Sequence, residues 1–184
     1  MGKISQKPIL LPEKVEVKIE GQLIEVKGPL GTLDYKFPKF VKILKEGHSL
    51  KVEVENEEEK KQKAMQGTAT RLIENMIKGV TSGFKKKLEL IGVGFNAGIK
   101  DKNLILILGF SSPINFAIPQ GIKITVEKGT VITIEGINKE LVGETAARLR
   151  HFKSPDPYKG KGIKYEGEEI RKKAMKKVAV TPTA

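Results

Sequence analysis

The sequence of 184 residues contains no cysteine and no tryptophan, and aromatic residues make up only 5% of it. Without cysteine the chain can form neither a disulfide framework nor a thiolate zinc site, and it has no cysteine nucleophile. Hydrophobic residues reach 39%, so we expect a packed but thin core. The length allows one ordinary domain or two small ones, and small domains bury a smaller fraction of their surface.

Long apolar segments are also missing. The longest apolar run, residues 104–108, is far too short to cross a bilayer. Residues 1–8 contain no apolar stretch of the kind found in signal peptides, so we expect no secretion signal. These observations predict a cytoplasmic protein with no membrane partner.

Residues that could support catalysis are scarce. The two histidines, His48 and His151, have no partner at the spacing of a metal site or a nucleophile–base pair. The glycines of residues 92–98 do not have the spacing of a dinucleotide fingerprint, and a strand rather than a helix follows them. We therefore predict no catalytic residue, no cofactor, no metal and no small-molecule substrate. A hydrolase is the remaining alternative, and replacing both histidines by alanine without effect would exclude it.

Positive charge is abundant. The chain has 34 Lys and Arg against 22 Asp and Glu, a formal net charge of +12. Such a charge repels itself in the folded state and is tolerated when a polyanion neutralises it. Nucleic acid is the first candidate and an anionic membrane surface the second.

The first half of the chain alternates between apolar and polar residues, as half-buried strands do. Strands are predicted around residues 15–19, 23–26, 33–37, 41–44 and 50–54, with glycine-containing turns between them. From Lys60 to Lys78 the apolar residues then recur on one face of a helix. Gly79 is predicted to end this helix.

The second half repeats this plan. Strands are predicted at residues 88–91, 95–99, 104–108, 114–118, 122–126 and 131–135, followed by a helix that starts at Asn138. A shift of 77 positions places Met65 on Val142, Ala69 on Ala146, Arg71 on Arg148 and Leu72 on Leu149. Self-similarity of this kind indicates duplication.

The predicted fold class is therefore α+β. Two similar tandem domains each consist of an antiparallel β-sheet covered by one α-helix, and an extended basic C-terminal tail follows. The first domain is predicted to cover residues 1–82 and the second residues 83–177, with the boundary near Thr81–Gly83. Residues 178–184 have no pattern and are expected to be frayed.

The two copies differ in charge at the end of the helix. Ile73 of the first helix corresponds to Arg150 of the second, and His151 and Lys153 follow it. Pro155 and Pro157 break the helix, so we expect the chain to leave regular structure from there. The second copy is thus predicted to contact the polyanion.

The segment Tyr158-Lys-Gly-Lys-Gly-Ile-Lys-Tyr165 is the strongest candidate site. Its lysines can each meet a phosphate, its glycines let backbone N–H groups approach closely, and its tyrosines can stack on a base or sugar. The alternative is a solvated basic loop. The full set predicted to bind the nucleic acid is Tyr158, Lys159, Gly160, Lys161, Gly162, Lys164, Tyr165, Arg148, Arg150, His151, Lys153, Arg171, Lys172 and Lys173.

A further set of candidate RNA contacts lies elsewhere in the chain. The three lysines at 85–87 precede a strand, where charge also blocks edge-to-edge aggregation, so a solvated edge is an equal alternative. Gly92 and Gly94 are alternatively explained by a β-bulge or a close backbone approach. This further set is Lys3, Lys7, Lys85, Lys86, Lys87, Gly92, Gly94 and Asn96. A second class of function also stays open, in which the basic tail docks an acidic protein or a membrane.

Nearly the whole chain, from about residue 5 to 177, resembles the bacterial large-subunit ribosomal protein six family. The similarity lies in ordered motifs, of which the last is the most specific. They are Lys7-Pro-Ile9, Val26-Lys-Gly-Pro-Leu-Gly-Thr-Leu33, Leu90-Ile-Gly-Val-Gly-Phe95, Leu108-Gly-Phe-Ser111, Ile118-Pro-Gln-Gly-Ile122, Val142-Gly-Glu-Thr-Ala-Ala-Arg-Leu-Arg150 and Pro155-Asp-Pro-Tyr-Lys-Gly-Lys-Gly-Ile-Lys-Tyr165.

The resemblance implies a structural constituent of the large ribosomal subunit that takes part in translation. It implies binding to 23S ribosomal RNA, chiefly through the second domain, near the factor-binding region by the sarcin–ricin stem. Neighbouring large-subunit proteins, and translation factors close by, are the implied protein partners. The sequence departs from the family pattern at Asn96, Ser112, Asp156 and Lys164, and over residues 152–154. Where arginine is expected, at Asn96 and Lys164, bidentate donor capacity is lost.

Overall fold

The computed structural model describes residues 8–56, 58–171 and 173. Within them the chain forms thirteen strands and two helices. In chain order these are β1 Ile9–Leu10, β2 Glu16–Glu20, β3 Leu23–Gly28, β4 Gly31–Lys36, β5 Val41–Glu46, β6 Ser49–Val54, α1 Lys60–Ser82, β7 Phe84–Ile91, β8 Asn96–Lys100, β9 Asn103–Ile107, β10 Ile114–Ala117, β11 Ile122–Glu127, β12 Val131–Gly136, α2 Lys139–Phe152 and β13 Gly162–Tyr165.

The strands of the first copy form two three-stranded sheets, with the orders β2-β3-β4 and β1-β6-β5. The turns at Gly21 and Gly47 have positive φ angles of 62° and 59°, which glycine adopts without strain. In β2 and β3 the apolar residues Val17 and Val26 are paired and both are buried. The alternation in the sequence thus sets which face of each strand points inward.

Helix α1 covers this core with one apolar face. Ala69, Ile73 and Val80 are completely buried, at spacings of four and seven residues, which place them on one face of the helix. They pack with inward-facing strand residues in a single cluster. Its strand members are Ile9, Val17, Ile24, Val26, Val41, Leu50, Val52 and Val54.

The end of α1 differs from the prediction. Gly79 does not stop the helix, which continues to Ser82. The residue beyond the end is Gly83, which has a φ of 72° and donates its N–H to the carbonyl oxygens of Gly79 and Lys78. Gly79 instead allows the backbone of α1 to lie close to Ile137, because a Cβ at position 79 would lie 2.1 Å from the Ile137 carbonyl oxygen. A helical glycine can therefore indicate packing rather than termination.

The second copy has sheets with the orders β10-β9-β8 and β11-β12-β7-β13. Helix α2 begins after Asn138, as predicted, and the Asn138 side chain accepts the N–H of Glu140 at 2.9 Å. This is the usual way in which asparagine satisfies a free donor at a helix start. Ala146 and Leu149 are completely buried on the inner face of the helix.

One prediction about the second copy is wrong. The chain does not leave regular structure after Pro155, because residues 162–165 form strand β13. This strand runs antiparallel to β7, with Ile163 opposite Leu90 and Tyr165 opposite Leu88. The candidate loop is therefore anchored to a sheet at its C-terminal side.

The predicted fold class is confirmed, with the refinement that each copy divides its strands between two sheets. Contacts group the described residues up to 85 with 135–142 into one compact unit, and those of 86–134 with those from 143 onward into another. The boundary near residues 81–83 stays a prediction. The frayed end predicted for 178–184 lies outside the described residues.

Candidate nucleic-acid interface

A tight turn opens the candidate site between helix α2 and strand β13. The Asp156 carboxylate accepts the backbone N–H groups of Tyr158 at 3.0 Å and of Lys159 at 3.2 Å. The Gly160 N–H donates to the Asp156 carbonyl oxygen at 2.8 Å, and the Asp156 N–H donates to Lys161 at 2.9 Å. The N–H of Tyr158 first, and then the N–H and charge of Lys159, lower the pKa of the Asp156 carboxyl below its ordinary value. The turn is therefore held by its own backbone before any ligand arrives.

The two glycines of the loop serve packing. Gly160 has a φ of 70° and is buried. Gly162 has a φ of 151°, and a Cβ there would lie 2.6 Å from the Cα of Pro155. The sequence predicted that these glycines expose the backbone to a ligand. Both instead lie buried, and they allow the chain to pass close to itself.

The tip of the turn presents the groups that are open to solvent. Lys159 and Lys161 are exposed, and the Tyr158 side chain is 50% exposed. The Lys173 N–H donates to the Pro157 carbonyl oxygen at 2.8 Å, which brings the chain after β13 back beside the turn. Arg171 and Lys173 are exposed there, while Lys172 lies outside the described residues.

Lys164 does not lie free for a phosphate. Its Nζ is 3.0 Å from Glu89 Oε2, directly across the β13–β7 pair, and its side chain is only 20% exposed. Such a pairing makes Lys164 part of the sheet surface.

Tyr165 is likewise surrounded by protein groups. The Lys86 Nζ lies 4.7 Å from the centroid of its ring, and the Arg150 Cζ lies 5.6 Å from it. Cations at these distances are attracted by the negative ring face. Of the two tyrosines predicted to stack on a base, Tyr158 is the more open.

Arg150 is bound to a carboxylate further along the chain. One of its guanidinium nitrogens lies 2.7 Å from Glu168 Oε1, and Glu168 Oε2 accepts the Tyr165 N–H at 3.0 Å. The Tyr165 N–H, and after it the guanidinium, lower the pKa of Glu168. Arg150 is only partly exposed, with 34% of its side chain accessible.

The other cations in and just after the end of helix α2 differ in their surroundings. Arg148 is exposed and pairs with Glu144 one turn earlier. His151 is exposed at the end of the helix. The Lys153 Nζ lies 4.5 Å from the centroid of the Phe110 ring, which is itself 47% exposed. Arg148 and His151 lie near the end of α2, and Lys153 directly follows it.

The lysines before and within β7 are also engaged. Lys85 pairs with Glu135 at 2.9 Å and Lys87 with Glu166 at 3.0 Å. The hydrogen bond and charge of Glu166 raise the pKa of Lys87. Lys86 lies over Tyr165. All three lysines therefore have protein partners, and the alternative of a shielded sheet edge does not describe them, because β7 lies between β12 and β13.

The remaining members of the further set have local structural explanations. A Cβ at Gly92 would lie 2.9 Å from the Phe95 ring, and Gly94 has a φ of 78° in open space. Asn96 is exposed and starts β8, and its side-chain oxygen would meet a Cβ at Gly129. Lys3 and Lys7 lie outside the described residues.

Most of the acidic partners at this site could not be predicted from the sequence. Glu89, Glu166 and Glu168 each neutralise a lysine or arginine of the predicted set. Only Asp156 could have been found, because an aspartate followed two and three residues later by free backbone donors is typical of an Asx turn. The pairing of the others depends on which strands are neighbours.

Two absences can be stated for residues 8–56, 58–171 and 173. No group of three His, Asp or Glu side chains comes together in a way that could hold a metal ion. No helix among them is long and apolar enough to cross a membrane.

Comparison with known proteins identifies the family. The model of the family "Ribosomal protein L6" matches twice, at residues 11–83 and 91–166, in keeping with the internal duplication. The large ribosomal subunit protein uL6 of Persephonella marina is 50% identical over 97% of this chain and 99% of its own length. Its counterpart in Desulforapulum autotrophicum is 46% identical over the same shares of both chains, and that of Syntrophomonas wolfei is 48% identical over 96% of this chain and 98% of its own. The resemblance seen in the sequence motifs is thereby confirmed, and the chain belongs to the ribosomal protein L6 family.

Proposed function

We propose that this protein is a structural constituent of the large ribosomal subunit and binds 23S ribosomal RNA chiefly through its second domain. Family membership makes it a ribosomal protein rather than an enzyme. The binding position we propose is the factor-binding region by the sarcin–ricin stem. Neighbouring large-subunit proteins, and translation factors close by, complete the proposed surroundings, on the ribosome in the cytoplasm.

The observation that carries this proposal is the turn between α2 and β13. It presents an exposed tyrosine and two exposed lysines, Tyr158, Lys159 and Lys161, on a backbone that Asp156 already holds in place. Lysines give sequence-independent affinity for phosphates, and an exposed aromatic ring can stack on an unpaired base. Because the turn is preformed, little conformational entropy is lost when RNA binds.

The test is RNA binding by the full chain and by the double variant Lys159→Ala/Lys161→Ala. The probe is a transcribed 23S fragment that contains the sarcin–ricin stem. We expect the double variant to bind roughly tenfold more weakly at moderate salt, because two phosphate contacts are lost. The slope of log affinity against log salt should become shallower by about 1.4–1.8, at about 0.7–0.9 per contact.

The matched control is Lys60→Ala/Lys61→Ala, which removes the same charge from two exposed lysines at the start of α1. We expect its salt slope to equal that of the wild-type chain, roughly −4 to −7 if about five to eight phosphates are contacted. Equal losses in the two double variants would contradict a site on the second domain. A wild-type affinity that does not change with salt would contradict RNA binding through phosphates altogether. Crosslinking the wild-type chain to the fragment would show which residues touch it.

A further inference from the structure

A single carboxylate joins helix α2 to the end of strand β13. Glu168 Oε1 binds the Arg150 guanidinium at 2.7 Å, and its other oxygen accepts the Tyr165 N–H at 3.0 Å. The Glu168 N–H returns a bond to the Tyr165 carbonyl oxygen at 3.1 Å. The guanidinium in turn lies over the Tyr165 ring, 5.6 Å from its centroid. Arg150, Tyr165 and Glu168 thus form one closed set of contacts, which we call the Glu168 clamp.

The clamp holds one end of the segment that follows the candidate turn. Next to the turn itself, the Ile163 N–H donates to the Lys153 carbonyl oxygen at 2.8 Å. Strand β13 therefore has two connections to the C-terminal part of α2, one at Ile163 and one at Tyr165. The turn at residues 155–161 lies between α2 and this doubly connected strand, so its position depends on both.

Arg150 is a poor phosphate ligand in this arrangement. Its charge already meets a carboxylate, and two-thirds of its side chain is covered. Charge-assisted hydrogen bonds are among the stronger polar interactions, so releasing the guanidinium to reach a phosphate would cost more than using a free lysine. The sequence had placed Arg150 among the RNA-contacting residues.

We infer that Arg150 and Glu168 are positioning residues for RNA binding, which hold β13 against α2 so that Tyr158, Lys159 and Lys161 face the RNA. This inference rests on the proposed function. It assigns a binding role to an acidic side chain on a face that meets a polyanion. If the carboxylate acted only by charge repulsion, removing it would strengthen RNA binding. If it positions the turn, removing it weakens RNA binding, so the direction of the affinity change separates these two possibilities.

The experiment compares Glu168→Ala with Glu169→Ala in the full chain, using the same 23S fragment. Both variants lose one carboxylate at neighbouring positions, and Glu169 is exposed. We expect Glu168→Ala to weaken binding by about tenfold, the equivalent of about one charged hydrogen bond. Glu169→Ala should bind as tightly as the wild-type chain or slightly more tightly. Thermal unfolding of both variants shows whether the affinity change occurs without loss of the fold.

A charge reversal keeps the inference testable if Glu168→Ala folds poorly. Arg150→Glu and Glu168→Arg each break the clamp, whereas the double variant restores a pair of opposite charges. We expect this double variant to bind at least threefold more tightly than Arg150→Glu/Glu169→Arg, which has the same net charge but no restored pair, because Glu169 is exposed. If Arg150 touches phosphate directly, the two double variants would bind equally, and the inference would be overturned.

The inference and the proposed function fail in different ways. If the wild-type chain does not bind the fragment, the proposed function fails. If the wild-type chain binds and Glu168→Ala binds as tightly as Glu169→Ala, only the positioning role fails.

Discussion

The two copies in this chain share a strand order but differ at one edge. The sheet β5-β6-β1 of the first copy corresponds to β11-β12-β7 of the second, and β2-β3-β4 corresponds to β8-β9-β10. In the second copy β7 is eight residues long, against two in β1, and β13 is added beyond it. The proposed RNA contact lies in the turn that leads into this added strand. A duplicated fold has thus gained a distinct surface by extending a sheet, with the shared strand order retained.

The helices show the same difference at a single position. Ile73 of α1 is completely buried in the first core, whereas Arg150, 77 residues later, is partly exposed and bound to Glu168. An arginine is possible there because β13 and the residues after it supply a carboxylate and an aromatic ring. The added segment therefore changed which side chain the helix can accommodate.

The largest expected effect on stability comes from replacing Ile73 of the first copy by arginine, the residue at the corresponding position of the second copy. Ile73→Arg would bury a guanidinium among the apolar side chains of the first core. We expect the first copy to lose about 3–5 kcal/mol of stability, as uncompensated buried charges do. Amide hydrogen exchange on the whole chain should show lost protection in α1 and its strands, with α2 much less affected.

Thr68→Arg is the control for that substitution, because it adds the same charge at an exposed position of α1. It should change protection by less than about 0.5 kcal/mol. Similar losses in the two variants would mean that burial of Ile73 does not explain the difference between the helices.

A somewhat smaller effect is expected when the added strand is disturbed. Gly162→Ala places a Cβ 2.6 Å from the Cα of Pro155 at a φ of 151°. We expect β13 and the preceding turn to lose about 2–3 kcal/mol of stability, through strain and overpacking. Gly167→Ala has a comparably unfavourable φ of 77° with no atom within 4 Å, so it should cost only about 1 kcal/mol. Exchange rates of the β13 amides measure both, and equal costs would exclude the close contact as the cause.

The smallest effect concerns pH. The folded-state pKa of Glu168 lies below its usual value of 4.5, so its contribution to stability is present above about pH 4.5 and is lost as pH falls through the lower folded value. At neutral pH the Tyr165 amide should exchange more slowly in the wild-type chain than in Glu168→Ala. This difference should shrink well below pH 4, when both chains are compared at the same pH. A difference that stays constant down to pH 2.5 would mean that the carboxylate charge does not hold the clamp.

Much of the fold could be predicted from the sequence, because apolar periodicity reports which face of an element is buried. Both helices and eleven of the thirteen strands lie within a few residues of their predicted positions. The repeat could be recognised because corresponding positions of the two helices, such as Ala69 and Ala146, are both completely buried and hold the same residue. The two strands that were missed, β1 and β13, are short and have no alternation that separates them from loops.

The sequence was sufficient to choose a candidate segment, but it could not show which of its basic residues are exposed and which are paired with carboxylates. The interleaved Lys, Gly and Tyr residues predicted a basic, open segment, and Tyr158, Lys159 and Lys161 are exposed in the folded chain. Which lysines are free depends on cross-strand partners, as Lys164 and Glu89 show. Sequence separation hides such partners, since these two residues are 75 positions apart.

Composition and periodicity alone were sufficient for the fold class, the duplication and the basic character, because each of these is a property of local residue patterns. The family resemblance came from the ordered motifs. Only the folded chain separates the exposed lysines of the turn, Lys159 and Lys161, from the basic residues that are paired with carboxylates, Arg150 and Lys164. Strand β13 brings Glu168 to Arg150 and Lys164 to Glu89, and Coulomb attraction between groups far apart in the chain acts only when folding places them within a few ångströms.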